Sequence, residues 1–257
     1  MATSGRDPMA LDTIEPSQRT AARVVGLAYL LALPPGIFAE IFVLDRLVSS
    51  DAAETARNIV THERLFRLGI ASNLGVFALD VVLIAALYVT LKPVHRGLAL
   101  LAVLWRMIET ATLVGITLND FTVLRLLSGV DYLHTFEPER LHALARLAIS
   151  AHGAGYQVGL FFSGLGGAVF CWLWLKSGFI PKALAAWGVF ASALLGACAF
   201  TFIVFPEVAK VFTFVYYATP IIIFELATGL WLTLRGIRPP TAVGPVGGAT
   251  AHADAHA

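Results

Sequence analysis

Charge is what this chain has least of. Only 14% of its 257 residues are Asp, Glu, Lys or Arg, against 58% hydrophobic, and the mean hydropathy is +0.77. Soluble domains run at about 25% charged and about 45–50% apolar, so a conventional soluble core is excluded and a membrane protein is implied. The formal net charge of +1 leaves no basic face, which argues against a nucleic-acid partner. Cysteine is scarce too: Cys171 and Cys198 each lie in an apolar run, give no disulfide or C-x-x-C framework, and read as small buried hydrophobes. P-loop, G-x-G-x-x-G, H-E-x-x-H and G-x-S-x-G signatures are missing, as is an Asp-rich pair of the kind that holds magnesium-diphosphate. No ligand spacing supports a metal, and no cofactor is expected.

Long apolar runs are what the chain has instead. Six of them, near 24–46, 68–91, 97–118, 154–176, 182–205 and 211–234, are each long enough for a hydrocarbon layer of about 30 Å. Backbone groups in lipid must be satisfied within the segment, and the alternating strands of a barrel are absent. The expected fold is therefore all-α: an integral membrane bundle of about six transmembrane helices with two amphipathic connecting helices. Those connections are residues 50–67, which open with Asp51 and Glu54 in capping-box spacing, and residues 128–150, which turn helical at Pro138. No internal repeat supports an inverted-repeat transporter.

The expected organisation is a disordered segment at 1–20, a transmembrane domain at 21–238 and a disordered low-complexity tail at 239–257. The H-A-D-A-H ending of that tail reads as solvated rather than metal-binding. The first twenty residues contain no apolar h-region, so the first span is expected to start insertion itself. Lys and Arg of the short connections favour the N-terminal side, and an even span number puts both termini there. The expected location is the cell (inner) membrane with cytoplasmic termini. Trp172, Trp174 and Trp231 fall near that same side, as an aromatic belt would.

Ionisable residues inside the spans carry the functional question. In "LAVLWRMIETATLVGITL", Arg106, Glu109, Thr110, Thr117 and then Asp120 fall within one stripe roughly 100° wide, and Glu109 lies one turn after Arg106. The second span places Asn73 and Asp80 on one face. The sixth carries Glu225, and the first carries Glu40 beyond Pro34-Pro35-Gly36. Those prolines cannot donate, so the carbonyls of Leu30 and Leu31 lose helical partners and a broken helix is expected. His152 and Tyr156 open the fourth span and share a face with Ser163; His152 by itself reads as an interface residue. A charge at mid-membrane costs about 2.5–3.5 kcal/mol, so these groups are expected to converge inside the bundle. Arg106 is the one fixed positive charge among Glu40, Asp80, Glu109 and Glu225, so at least one acid is expected to hold its proton.

Other features leave two readings open. Gly155, Gly159, Ser163 and Gly167 form a small-residue ladder that suits close packing, within one chain or between two. Tyr216, Tyr217 and Pro220 either line a cavity or fill space.

The stretches "GLAYLLALPPGIFAE", "TARNIVTHERLFRLGIASNLGVFALDVVLIAALYVTLKPV", "HGAGYQVGLFFSGLGG", "KSGFIPKALAAWGVF" and "PIIIFELATGLWL" together resemble bacterial multipass membrane proteins of domain-of-unknown-function family 4386, over about residues 20–238. The resemblance implies a six-helix-scale integral membrane protein and assigns no catalytic residue. Glu40, Arg67, Asp80, His152, Tyr156, Pro181 and Glu225 fall in its recurrent motifs, and the Pro-Pro-Gly of the first span departs from them.

The leading functional expectation is a buried carboxylate/arginine centre that binds a small or lipid-like molecule, with a proton link. Asp80, Glu225 and Glu109 are the candidate proton donors and acceptors. Arg106, Glu40, Asn73, His152, Tyr156 and Tyr217 are the candidate binding residues. One alternative is an intramembrane cyclase or isomerase that uses a protonated carboxylic acid on an isoprenoid-type substrate, with Trp105, Tyr216 and Tyr217 shielding positive charge. Another is an accessory or regulatory membrane subunit. Expected partners are the lipid bilayer, a small hydrophobic ligand or substrate, and another membrane protein or a second copy of the chain.

Overall fold

The computed structural model describes residues 14–209 and 214–238, and these are helical with no strand among them. The expected tail at 239–257, its histidines and most of the expected N-terminal segment lie outside the described residues. Six helices are long and apolar enough to cross a membrane. They are α1 (Pro16–Ile37) with its continuation to Leu47, α4 (Glu63–Leu91), α5 (Arg96–Leu126), α6 (Pro138–Ser177), α7 (Lys182–Val204) and α9 (Phe214–Leu234). Among the described residues there are also short pieces: α2 (Asp45–Leu47), α3 (Ala52–Thr61), α8 (Pro206–Ala209) and a 3-10 turn at Asp131–Leu133.

Local chemistry sets the helix ends. Pro16 occupies the first turn of α1, where Glu15 and Gln18 form a reciprocal capping box, so the helix starts inside the segment expected to be disordered. Asp51 caps α3 by accepting the Glu54 amide at 2.7 Å, as the spacing predicts. Pro138 begins α6, and Gly178, at φ 67°, ends it in the left-handed conformation. At 1.5 Å per residue the 40 residues of α6 run to about 60 Å, roughly twice the hydrocarbon thickness. Its first turns therefore project beyond the bilayer, where α3 packs on it.

The first span is not broken at Pro34 and Pro35. The helix continues through both, the Phe38 amide reaches the carbonyls of Pro34 and Pro35, and residues Phe38–Leu44 wind as a π-helix before α2. The helix thus tolerates the two missing donors without unwinding.

The spanning helices close into a ring: α1 packs on α4, α4 on α5, α5 on α6, α6 on α7, α7 on α9, and α9 returns to α1. Small residues set the closest approaches. A Cβ on Gly26 would lie 2.7 Å from Thr233 Oγ1 and 2.9 Å from the Gly229 carbonyl, which fixes the α1–α9 contact. A Cβ on Gly164 would run into the Gly196 backbone, which fixes α6 against α7. The ladder is thereby resolved as packing within one chain: Gly155 and Gly159 receive Ile116 and Leu113 of α5, and Gly167 receives Ser192 of α7.

The core has two ends. On the side of the N-terminus, residues including Ala22, Val25, Leu87, Leu91, Phe170 and Trp174 form a continuous apolar plug. On the opposite side a smaller cluster holds Val43, Phe66, Ile70, Val123 and Ile149. Trp174, fully buried, corrects the expected aromatic belt. It lies two residues from Trp172, about 200° around the helix, so the two rings cannot share a face. Trp172 and Trp231 remain at the rim, under Lys176 and under Arg235 and Arg238 respectively. Cys171 is buried as expected, but Cys198 is only half-buried, and both are free thiols.

Candidate functional site

Between the plug and the opposite end lies a cavity of about 190 Å³. Its polar lining comes from five spans: Tyr29 and Glu40 from the first, Asn73 and Asp80 from α4, Arg106 and Glu109 from α5, Tyr156 and Ser163 from α6, and Glu225 from α9. Leu33, Ile37, Phe77, Leu113, Leu195 and Ile222 supply apolar wall.

Arg106 is the hub. Its Nη1 is 2.7 Å from Glu109 Oε2, its Nη2 is 3.6 Å from Asp80 Oδ1, and Nη1 also donates to Ser163 Oγ. Helical spacing brings Glu109 to Arg106 within α5, whereas Asp80 and Ser163 arrive from neighbouring helices. Ser163 accepts a hydrogen bond from the guanidinium, while Glu109 and Asp80 meet it as ion pairs. Glu225 lines the same cavity, with no hydrogen bond or ion pair to another described residue. At the cavity's far end, Asn73 Nδ2 donates to Glu40 Oε1 at 3.1 Å. The π-helical turns carry Glu40 to this position.

A second cavity, of about 380 Å³, lies towards the face opposite the N-terminus and shares Glu40, Ile41 and Tyr156 with the first. His152 and Tyr217 line this outer cavity and not the central one. His152 is buried, its Nδ1 2.9 Å from Asp120 Oδ1, and its ring stacks near Tyr156 at 6.4 Å between centroids. It is thus no simple interface residue. Tyr217 is buried, with its hydroxyl 3.4 Å from Gln157 Nε2.

Of the nine candidate residues, Asp80, Glu225, Glu109, Arg106, Glu40, Asn73 and Tyr156 line the central cavity, and His152 and Tyr217 line its neighbour. Tyr216 is corrected: it is 68% exposed on the outer surface, because one residue turns it about 100° away from Tyr217. Pro220 gives its carbonyl to Trp187 Nε1 at 2.9 Å and lines neither cavity. Two members of the polar stripe on α5, Thr110 and Thr117, bond back to their own helix at the carbonyls of Arg106 and Leu113. Tyr29 and Ser163 are lining residues that were not among the candidates. Ser163 carried a signal in its shared face with His152 and Tyr156; Tyr29, in an unbroken apolar run, carried none. The pairing of His152 with Asp120 likewise joins two helices that sequence spacing cannot relate.

Among the described residues no group of three or more His, Cys, Asp or Glu side chains is arranged to hold a metal ion. A ring of six apolar helices defines the class: a multi-pass helical membrane protein. Over residues 24–236 the chain matches the family described as domain of unknown function DUF4386, and it belongs to that family. No curated protein and no solved structure matches it.

Proposed function

We propose that the protein binds a small or lipid-like molecule at the centre formed by Arg106 and its carboxylates, and that binding is coupled to proton uptake or release there. The carrying observation is the convergence of ionisable side chains from five spans on one cavity of about 190 Å³. Packing alone would be served by apolar contacts, since a buried ion pair is weak support for stability. The volume limits the occupant. Apolar cavities of about 150 Å³ accept benzene and drug-sized pockets run to about 300–1,000 Å³, so this centre suits one ring or one headgroup. In this reading Arg106 neutralises and orients, Glu109 pairs with it, and Asp80 or Glu225 exchanges the proton.

The isoprenoid-enzyme alternative has less support, because Trp105, Tyr216 and Tyr217 do not line the central cavity. The regulatory-subunit alternative loses its interaction face, because the glycine ladder is occupied within the chain.

The test compares parent, Asp80→Asn and Glu225→Gln, purified in lipid nanodiscs, for small molecules that co-purify. The expected result is a molecule reproducibly present in the parent and reduced about tenfold in the variants, a loss of about 1.4 kcal/mol in affinity. Identical content and identical thermal unfolding in all three would overturn the proposal.

A further inference from the structure

We infer that the ligand of this centre is a small organic ammonium ion that enters through the outer cavity, from the face opposite the N-terminus. The inference rests on the reading above that the centre binds a small molecule, and it names the class.

The wall charges decide the sign. Arg106 is the one cation lining the central cavity, and two carboxylates already stand beside it, Glu109 Oε2 2.7 Å from Nη1 and Asp80 Oδ1 3.6 Å from Nη2. An incoming anion would be repelled by these carboxylates and by Glu40 and Glu225 on the same lining. Glu225 is the opposite case, a carboxyl group on the cavity wall without a hydrogen bond or ion pair to another described residue. Glu225 is partly buried on that wall, and an ammonium group would bring it both donors and countercharge. Tyr29, Phe77 and Tyr156 line the same space, and aromatic rings favour a cation within about 6 Å of their faces.

The outer cavity continues the pattern. Glu40, Asp45 and Asp120 line it, and neither Lys nor Arg does. His152, only 6% exposed, also lines it, with Nδ1 2.9 Å from Asp120 Oδ1 and neither ring nitrogen in a well-formed hydrogen bond. The acidic side chains Glu40, Asp45 and Asp120 therefore set the character of this wall. Glu40 and Tyr156, common to both cavities, mark the junction. The other end of the bundle is filled by the apolar plug, which leaves the outer cavity as the polar approach.

Benzylamine matches the central cavity in size and carries the required charge; benzyl alcohol and benzoate are its neutral and anionic counterparts. The three are titrated calorimetrically into the purified protein in zwitterionic nanodiscs. Saturable benzylamine binding is expected, with the other two about tenfold weaker or more. Glu225→Gln should weaken benzylamine while leaving benzyl alcohol unchanged, a difference that misfolding cannot produce. If benzyl alcohol or benzoate binds as tightly as benzylamine, the ligand class is wrong and the small-molecule reading stands. If none binds saturably, the ammonium inference is overturned, and the broader reading is decided by the co-purification experiment. Entry is tested with Gly153→Phe, since a Cβ at Gly153, on the wall of the outer cavity, would meet nothing within 4 Å. NMR exchange line shapes of benzylamine should show slower association and dissociation with unchanged affinity. Unaltered rates would overturn the route.

Discussion

Arg106 meets Glu109 at 2.7 Å and Asp80 at 3.6 Å, with side-chain exposures of 11%, 6% and 13%. Removing one partner of such a buried group leaves the other uncompensated, which costs about 3–5 kcal/mol, whereas replacing both by apolar residues is often close to neutral. Arg106→Gln is therefore expected to destabilise the protein by about 3 kcal/mol in denaturant titrations in micelles, and Arg106→Met with Glu109→Leu by less than the single change. Asn73 offers the contrast. Interhelical hydrogen bonds in membranes average about 0.6 kcal/mol, so Asn73→Ala should cost under about 1 kcal/mol. Equal losses for Arg106→Gln and Asn73→Ala would contradict this ranking. Much of the residue scale was legible, because charge inside an apolar run is conspicuous and helical spacing joins Arg106 to Glu109. Rotation around the helix was the weak point: Trp172 and Trp174, like Tyr216 and Tyr217, sit together in sequence and apart in space.

The helices meet through small residues, and each contact makes a sharp contrast possible. A side chain at Gly164 would press on the Gly196 backbone, and one at Gly188 on Phe224 and Cys171, while Gly75 and Gly115 have nothing within 4 Å of a new Cβ. Backbone cannot yield as a side-chain tip can. Gly164→Val should cost about 3 kcal/mol, at the upper end of overpacking penalties. Gly75→Ala and Gly115→Ala should be neutral or stabilising, since alanine is the better helix former by about 1 kcal/mol. Thermal unfolding of the purified variants checks the order. Element existence was plain in the sequence because six apolar runs admit few other structures in lipid. The π-helical turn was not. Pro34 and Pro35 announce missing donors, but the π-helical winding that follows them packs against α4, a neighbour that the sequence does not name.

At the scale of the molecule, ring closure by α9 on α1 places the outer cavity at one face and the apolar plug at the other. The ring order itself could not be read from one sequence, because all six spans are similarly apolar and the neighbour of each is chosen by glycine contacts such as Gly26 with Gly229. Sidedness can be measured. In a Cys171→Ala, Cys198→Ala background, Gly153→Cys should react with a membrane-impermeant maleimide from the side opposite an N-terminal tag. Labelling from the tag's side would reverse the assignment of faces.

The plug has an electrical consequence. If water fills the outer cavity, the potential of that compartment reaches inward to Glu40, and the membrane voltage drops over the dry remainder of the protein rather than over its full thickness. A unit charge crossing the whole drop exchanges about 2.3 kcal/mol per 100 mV, and a charge moving from Glu40 towards Glu225 would take a share of it larger than its few ångströms of travel imply. Occupancy of the centre would then follow the energised state of the membrane as well as the concentration of ligand.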